Sequence, residues 1–230
     1  MSTTDTTASP AKTAAKKAPK NAKPYHKGNV AEDLFSAASR LIDTEGLDSL
    51  TVRRLCREVG VTAANFYNHY PSLEHLLLDV AATGMDTLRG MNERVMKRAK
   101  SRNEGLVAMT LEAVEFSVAH PDLFRVMFGQ VSGGGQHERY YQASQGAFAA
   151  LVRSIYGEDG NLFRVGDVAW LHAHFRKAYV YFSFFYGLAR LVSMDLITFP
   201  TRTKAERSQF VKELAWTFIR GLDGPELPKM

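Results

Sequence analysis

Residues Thr51 to Tyr70, TVRRLCREVGVTAANFYNHY, constrain this chain more than any other stretch, because they describe two short helices folded about a tight turn. Val52, Leu55, Cys56 and Val59 recur at i, i+3, i+4 and i+7, the spacing of one buried helical stripe, and Thr51 stands where an N-cap is needed. Gly60 follows the last periodic residue, where a left-handed residue ends a helix, and Thr62 offers the next N-cap. The outline is a helix-turn-helix. In the second helix Ala63, Phe66, Tyr67 and Tyr70 form the expected inward stripe, which leaves Ala64, Asn65, Asn68 and His69 pointing outward.

A first helix precedes this unit: Asn29 and Glu32 pair as cap and reciprocal partner, and Ala31, Leu34, Phe35, Ala38, Leu41 and Ile42 make a stripe that Gly46 ends. From Asn29 to about Ala81 the sequence resembles the tetracycline-repressor (TetR) family of bacterial regulators. The likeness rests on the capped first helix, T-V-R, the G-V-T turn, and F-Y-N-H-Y-P-S-L-E-H-L, close to the family's L-Y-x-H-F-x-x-K-x-x-L. Beyond Ala81 it is mostly architectural, with HPDLFRVMFG, His120 to Gly129, similar to a local signature in one group of such sensor domains.

The resemblance implies an all-α fold: a three-helix DNA-binding head over residues 29–75, behind a tail of residues 1–28, and a helical ligand-binding and dimerisation domain over residues 76–225. It implies a double-stranded DNA operator as partner. The residues it places at DNA are Thr51, Arg53, Arg54, Thr62, Ala63, Ala64, Asn65, Tyr67, Asn68 and His69. Arg53 would read a guanine, Asn65 and Asn68 an adenine, and Ala63 or Ala64 a thymine methyl, while Tyr67 and His69 would hold phosphates. One position departs from the pattern. Leu73 stands where the family usually has lysine, which removes one expected phosphate anchor; the lysine tail or the backbone N–H groups at Ser72 to Glu74 could substitute for it.

Charge is informative by position. Residues 1 to 28 hold six lysines and one aspartate, the whole formal excess of +5, and the remaining 23 basic and 23 acidic residues cancel. A uniformly basic nucleic-acid binder is excluded, so attraction to DNA must come from the tail and from Arg53, Arg54 and Arg57. The tail has too little apolar surface to fold alone and is predicted to be disordered, either tracking phosphates or serving as a solubilising extension. At 230 residues and 45% apolar content the chain can build a sizeable core. No apolar run approaches the roughly 18 residues of a membrane span, and the start lacks a secretory apolar stretch, so a cytoplasmic protein without a membrane partner is expected. The one cysteine, Cys56, falls on an inward stripe and reads as a buried, inert thiol.

After Pro71-Ser72 a long amphipathic helix is expected to about Lys100, then helices from Asn103 to Ala119, Pro121 to Phe128, Gln136 to Tyr156, Val165 to about Ser193 and Lys204 to Leu222, with a Gly-rich connection at Gly129 to Gly135. The fifth of these is aromatic on more than one face and must be covered on both sides. The resemblance implies that it and the last helix pair with a second copy as a four-helix bundle, giving a homodimer.

Phe116, Phe124, Met127, Phe128, Phe148, Trp170, His174, Phe175, Tyr179 and Phe182 are candidates to line an apolar effector cavity, although for any one of them closed core is the more ordinary reading. His172, His174 and Arg176 sit in an apolar helix and need partners. A metal site is not expected, since His172 and His174 face different ways and there is no cysteine cluster. Nor is an enzyme: no glutamate is followed by histidine three residues on, and the nucleophile-elbow, P-loop and dinucleotide patterns are missing. No cofactor is implied. The reading is a repressor released by a small apolar or amphipathic effector; the alternative is an architectural or constitutive DNA-binding protein.

If the tail lysines contact phosphates, deleting residues 1–28 weakens operator and random DNA alike and leaves specificity intact. Each lost contact lowers the slope of log K against log salt by roughly 0.9, so three to six engaged lysines flatten it by about 3 to 5. Titrations of both forms across a salt series check this, and an unchanged slope leaves only the solubilising role.

Overall fold

The computed structural model describes residues 29–129, 134–157, 176–197 and 202–222. The lysine tail, most of the Gly-rich connection, the first part of the aromatic helix with Trp170, His172, His174 and Phe175, and residues 223–225 lie outside the described residues. Among the described residues the chain is helical throughout, without a strand.

Helix α1, Val30–Glu45, carries the expected stripe, with Leu34, Ala38 and Leu41 fully buried. The Asn29 amide donates to the Glu32 carboxylate, but the Asn29 side chain accepts no backbone N–H, so the reciprocal capping box expected here is replaced by a side-chain contact. Gly46, at φ 84°, turns the chain into a single 3₁₀ turn, Leu47–Ser49. Helix α2, Val52–Val59, starts on Thr51, whose hydroxyl accepts the Arg54 N–H at 3.1 Å, and stops at Gly60, in the left-handed region at φ 80°, ψ 29°. The N–H groups of Gly60 and Val61 both close on the Cys56 carbonyl at 2.9 Å, which satisfies the helix end and aims the chain into α3, Ala63–Tyr67. Phe66 and Tyr70 fill the space between α1 and α2, and the Tyr70 hydroxyl donates to the Ala31 carbonyl at 3.2 Å.

The inward stripe expected for α3 is half right. Phe66 and Tyr70 are buried, but Ala63 is exposed and Tyr67 is 56% exposed. The helix is only five residues long, so its first turn projects past the three-helix core, and the Tyr67 ring leans edge-on against Phe66 at 5.2 Å without entering it.

Helix α4, Leu73–Arg98, is capped by the Ser72 hydroxyl, which accepts the His75 N–H at 3.2 Å. It packs on α1 at its start and then on α5, Arg102–Ala119, on α6, Pro121–Met127, and on α7, Glu138–Tyr156. Residues Gly134–Gln136 form a second 3₁₀ turn, which moves the start of α7 two residues past the expected Gln136. Helices α8, Arg176–Ser193, and α9, Lys204–Leu222, both lie against α5. Helix α5 is thus surrounded by α4, α6, α7, α8 and α9.

Two polar side chains on that central helix are buried and satisfied. The Ser117 hydroxyl donates to the Val114 carbonyl and lies 3.1 Å from the Ala189 carbonyl of α8. The Tyr181 hydroxyl sits 2.6 Å from the Leu106 carbonyl and 2.9 Å from the Thr110 hydroxyl, and full burial pushes its pKa up. At the far side Arg207 of α9 makes a two-pronged pair with Glu115 of α5, both contacts at 2.9 Å.

Tyr181→Phe removes the Tyr181 hydroxyl's bonds from α8 to α5 but leaves Ser117 bonded to Ala189 and Thr110 bonded to Leu106, so no orphan group is created. Stability should fall by about 1 kcal/mol in urea unfolding. A loss of several kcal/mol would show that the hydroxyl is doing more than bridging the two helices.

Candidate nucleic-acid interface and internal cavity

The turn between α2 and α3 presents a compact polar face. Thr51 and Thr62 spend their hydroxyl oxygens as N-caps, Thr62 accepting the Asn65 N–H at 3.2 Å, and both residues are exposed. Around them Arg53, Ala63, Ala64, Tyr67, Asn68 and His69 are exposed, and Asn65 is half-buried. The first two residues of α3, Ala63 and Ala64, carry only methyl side chains, which lets its backbone approach another surface closely.

The three arginines of α2 differ in their surroundings. Arg54 is held inside the head: its guanidinium meets Glu45 of α1 at 2.6 and 3.2 Å and Glu58 at 2.6 Å. Those carboxylates raise the Arg54 pKa, the Glu45 hydrogen bond first. Glu58 is in turn held below the usual carboxylate range by Arg54 and by Arg40, which stands 2.5 Å away. Arg54 therefore clamps α1 to α2. Arg53 and Arg57 are exposed and make no ion pair among the described residues.

At the start of α4, contacts of the Glu74 carboxylate with its own backbone N–H and with Ser72 hold its pKa below the usual carboxylate range. The carboxylate stands at the positive end of the helix dipole, beside the N–H groups that are the candidate phosphate anchor in place of the lysine missing at Leu73.

The body has a half-open hollow of about 410 Å³ between α4, α7 and α8, within the usual range for small-molecule sites. Phe128, Phe148, Tyr179 and Phe182, four of the sequence candidates, line it. Phe148 and Tyr179 lie 5.1 Å apart, and Phe128 and Phe182 6.0 Å apart. Phe116, Phe124 and Met127 do not reach it. They are closed core: Phe116 packs on His120, and Phe124 lies between Phe128, tilted at 4.6 Å, and Tyr186, stacked at 6.0 Å. Trp170, His174 and Phe175 lie outside the described residues.

The sequence reading missed the wall given by α4, namely Met85, Leu88, Arg89 and Asn92, and the polar groups Tyr140, Ser144 and Gln145 of α7. A signal was available in Arg89 and Asn92, polar residues beside the apolar stripe of Leu88 and Met91. Burial raises the pKa of Tyr140 and Tyr179, so both stay protonated donors at neutral pH.

Short helix α6 spans the distance from head to hollow. At its start Asp122 accepts the Leu47 N–H at 3.1 Å and pairs with Arg125 at 2.6 Å, while His120 Nδ1 lies 3.0 Å from Asp43 of α1. At its end Phe128 enters the wall of the hollow, and the Tyr140 hydroxyl donates to the Met127 carbonyl at 2.6 Å. Gly84 of α4 lets α6 lie close, since a Cβ there would stand 2.6 Å from the Met127 sulfur.

Helices α8 and α9 expose Val180, Leu191 and Trp216, and the Phe184 and Phe218 rings stack at 4.0 Å between the two helices. Among the described residues no group of three His, Cys, Asp or Glu is placed to hold a metal ion, and no helix is long and apolar enough to cross a membrane. Cys56 is buried, and burial raises its thiol pKa.

Residues 34–80 match the family described as bacterial regulatory proteins, tetR family. An uncharacterised HTH-type transcriptional regulator of Mycobacterium tuberculosis is 30% identical over 131 residues, 56% of this chain and 59% of that protein. The nucleoid occlusion factor SlmA of Vibrio atlanticus is 26% identical over 104 residues, 45% of this chain and 53% of that one. The chain spans little more than half the length of these two curated relatives. A Rhodococcus protein of unknown function matches in structure with a TM-score of 0.66 and 26% identity, covering 87% of this chain and 98% of that one. Crystallised TetR regulators, one of them also from Rhodococcus at a TM-score of 0.57 and 12% identity, share the fold.

Proposed function

We propose that this chain, which carries the DNA-binding head of the TetR family, is a ligand-responsive transcriptional regulator, a homodimeric repressor that a small apolar or amphipathic effector releases from its operator. The observation that carries the reading is the coexistence of the exposed α2–α3 face with the 410 Å³ hollow in the same chain. An architectural DNA binder would need only the first of these and would keep its body filled.

On DNA, Arg53 reads a guanine from the start of α2, and Asn65 and Asn68 read from α3, with Ala63 and Ala64 against thymine methyls. Tyr67 and His69 contact phosphates, and Arg57 adds charge beside them. Arg54 supports this face through its clamp on Glu45 and Glu58. The exposed apolar residues of α8 and α9 pair with a second copy, which sets the spacing of two recognition helices on successive major grooves. An effector in the hollow touches Phe128, and α6 carries the displacement to Asp43, Leu47 and Asp48 at the base of the head.

The DNA assignment is tested by selecting a preferred duplex from a random pool and measuring discrimination against random DNA. Arg53→Ala, Asn65→Ala and Asn68→Ala should each lose about 1 to 3 kcal/mol of that discrimination with unchanged melting. Preference retained by all three variants would sink the assignment.

The dimer is tested at Trp216, 47% exposed on α9. Trp216→Glu places a charge on an apolar face and should give a monomer in sedimentation that binds the selected duplex poorly. A stable wild-type monomer at micromolar concentration contradicts the proposed pairing.

A further inference from the structure

We propose that the hollow selects effectors bearing a carboxylate, with Arg89 as the group that recognises it; the inference rests on reading the hollow as an effector site. Among the described lining residues Arg89 alone carries a charge, and that charge is positive in a wall otherwise built from aromatic, aliphatic and neutral polar side chains. An apolar body with an anionic end matches this distribution. A cationic or zwitterionic ligand finds no carboxylate among the described lining residues.

Arg89 is positioned by two contacts. Its Nη2 pairs with Asp86, one turn back on α4, at 2.9 Å. Its Nη1 lies over α7 at Gly146, where a Cβ would come within 2.7 Å of it. Glycine weakens a helix interior, and here the missing side chain is the notch that receives the guanidinium. Asp86 is the more exposed partner, so water screens its repulsion of an anion in the hollow. The guanidinium has five N–H donors in a planar fork, and one contact with Asp86 leaves a second edge for a planar carboxylate. Asn92, one turn on from Arg89, places a buried Oδ1 without a hydrogen-bond partner in the same wall.

Two matched pairs of probes test this on the full chain: decanoate against decan-1-ol, and 4-phenylbutyrate against 4-phenylbutan-1-ol, each displacing the neutral dye Nile red. In at least one pair the acid should bind about tenfold more tightly than the alcohol. Arg89→Gln should bring the two members to within about twofold, and Gly146→Ala, which pushes the guanidinium out of its notch without touching its charge, should do the same. Melting curves confirm that both variants fold. Equal affinity of acid and alcohol in the wild type, or a preference that survives Arg89→Gln, overturns the carboxylate assignment while leaving an occupied hollow. If Nile red does not bind, or none of the four displaces it, the effector reading itself fails and this inference with it.

Discussion

One helix runs from the head into the body through a single continuous core, and the arrangement of the rest follows from that. The first turns of α4 bury Leu76, Leu77, Val80 and Ala81, where α1 packs, and later turns bring Met85, Leu88, Arg89 and Asn92 to the hollow. At about 1.5 Å per residue, 26 residues make a rod of roughly 39 Å without an internal proline to bend it. A change in the direction of α4 is therefore a change in the placement of the head. Ser72 and Glu74 fix its beginning, and α5, α6 and α7 enclose its length.

The parts that were legible in the sequence are those decided within one or two turns of chain. Thr51, Gly60, Thr62 and Ser72 each solve a local problem of an unpaired N–H or carbonyl, so helix starts and stops could be read directly, and the head followed from them. The hollow was legible only as a set of aromatic residues. Phe124 and Phe128 are four apart on one helical face, yet one is sealed between rings and the other lines the cavity. That choice is made by α8 and by Tyr186, which lies far along the chain. Arg89 over Gly146 is a contact between two helices whose meeting no local pattern announces. Tyr67 erred in the other direction: its spacing from Ala63 and Phe66 is helical, but the helix is too short to hold it against a core.

The walls of the hollow belong to elements with different attachments. Arg89 and Asn92 are on α4 and move with the head; Phe128 follows α6, which the head grips through Asp122, Arg125 and His120; Tyr179 and Phe182 are on α8, whose outer face is the proposed dimer seam. A ligand in contact with all three reports on their relative positions.

A ligand shifts an equilibrium only by the difference in its affinity for the two states. Moving a head from mostly bound to mostly released geometry, from 1:99 to 99:1, needs roughly 5.5 kcal/mol of that difference. Apolar contact with Phe148 and Phe182 is diffuse and survives small displacements, so it contributes mostly to affinity in both states. Directional contacts are the better source of the difference, because a guanidinium–carboxylate pair or an amide hydrogen bond weakens steeply with distance and angle. On the proposed effector reading, Arg89 and Asn92 would supply such contacts from the helix that carries the head, whereas Tyr140, whose hydroxyl is tied to Met127, marks the position of α6. The polar part of the lining would then sense the alignment of α4 with α6, and the apolar part would hold the effector where that alignment can be read.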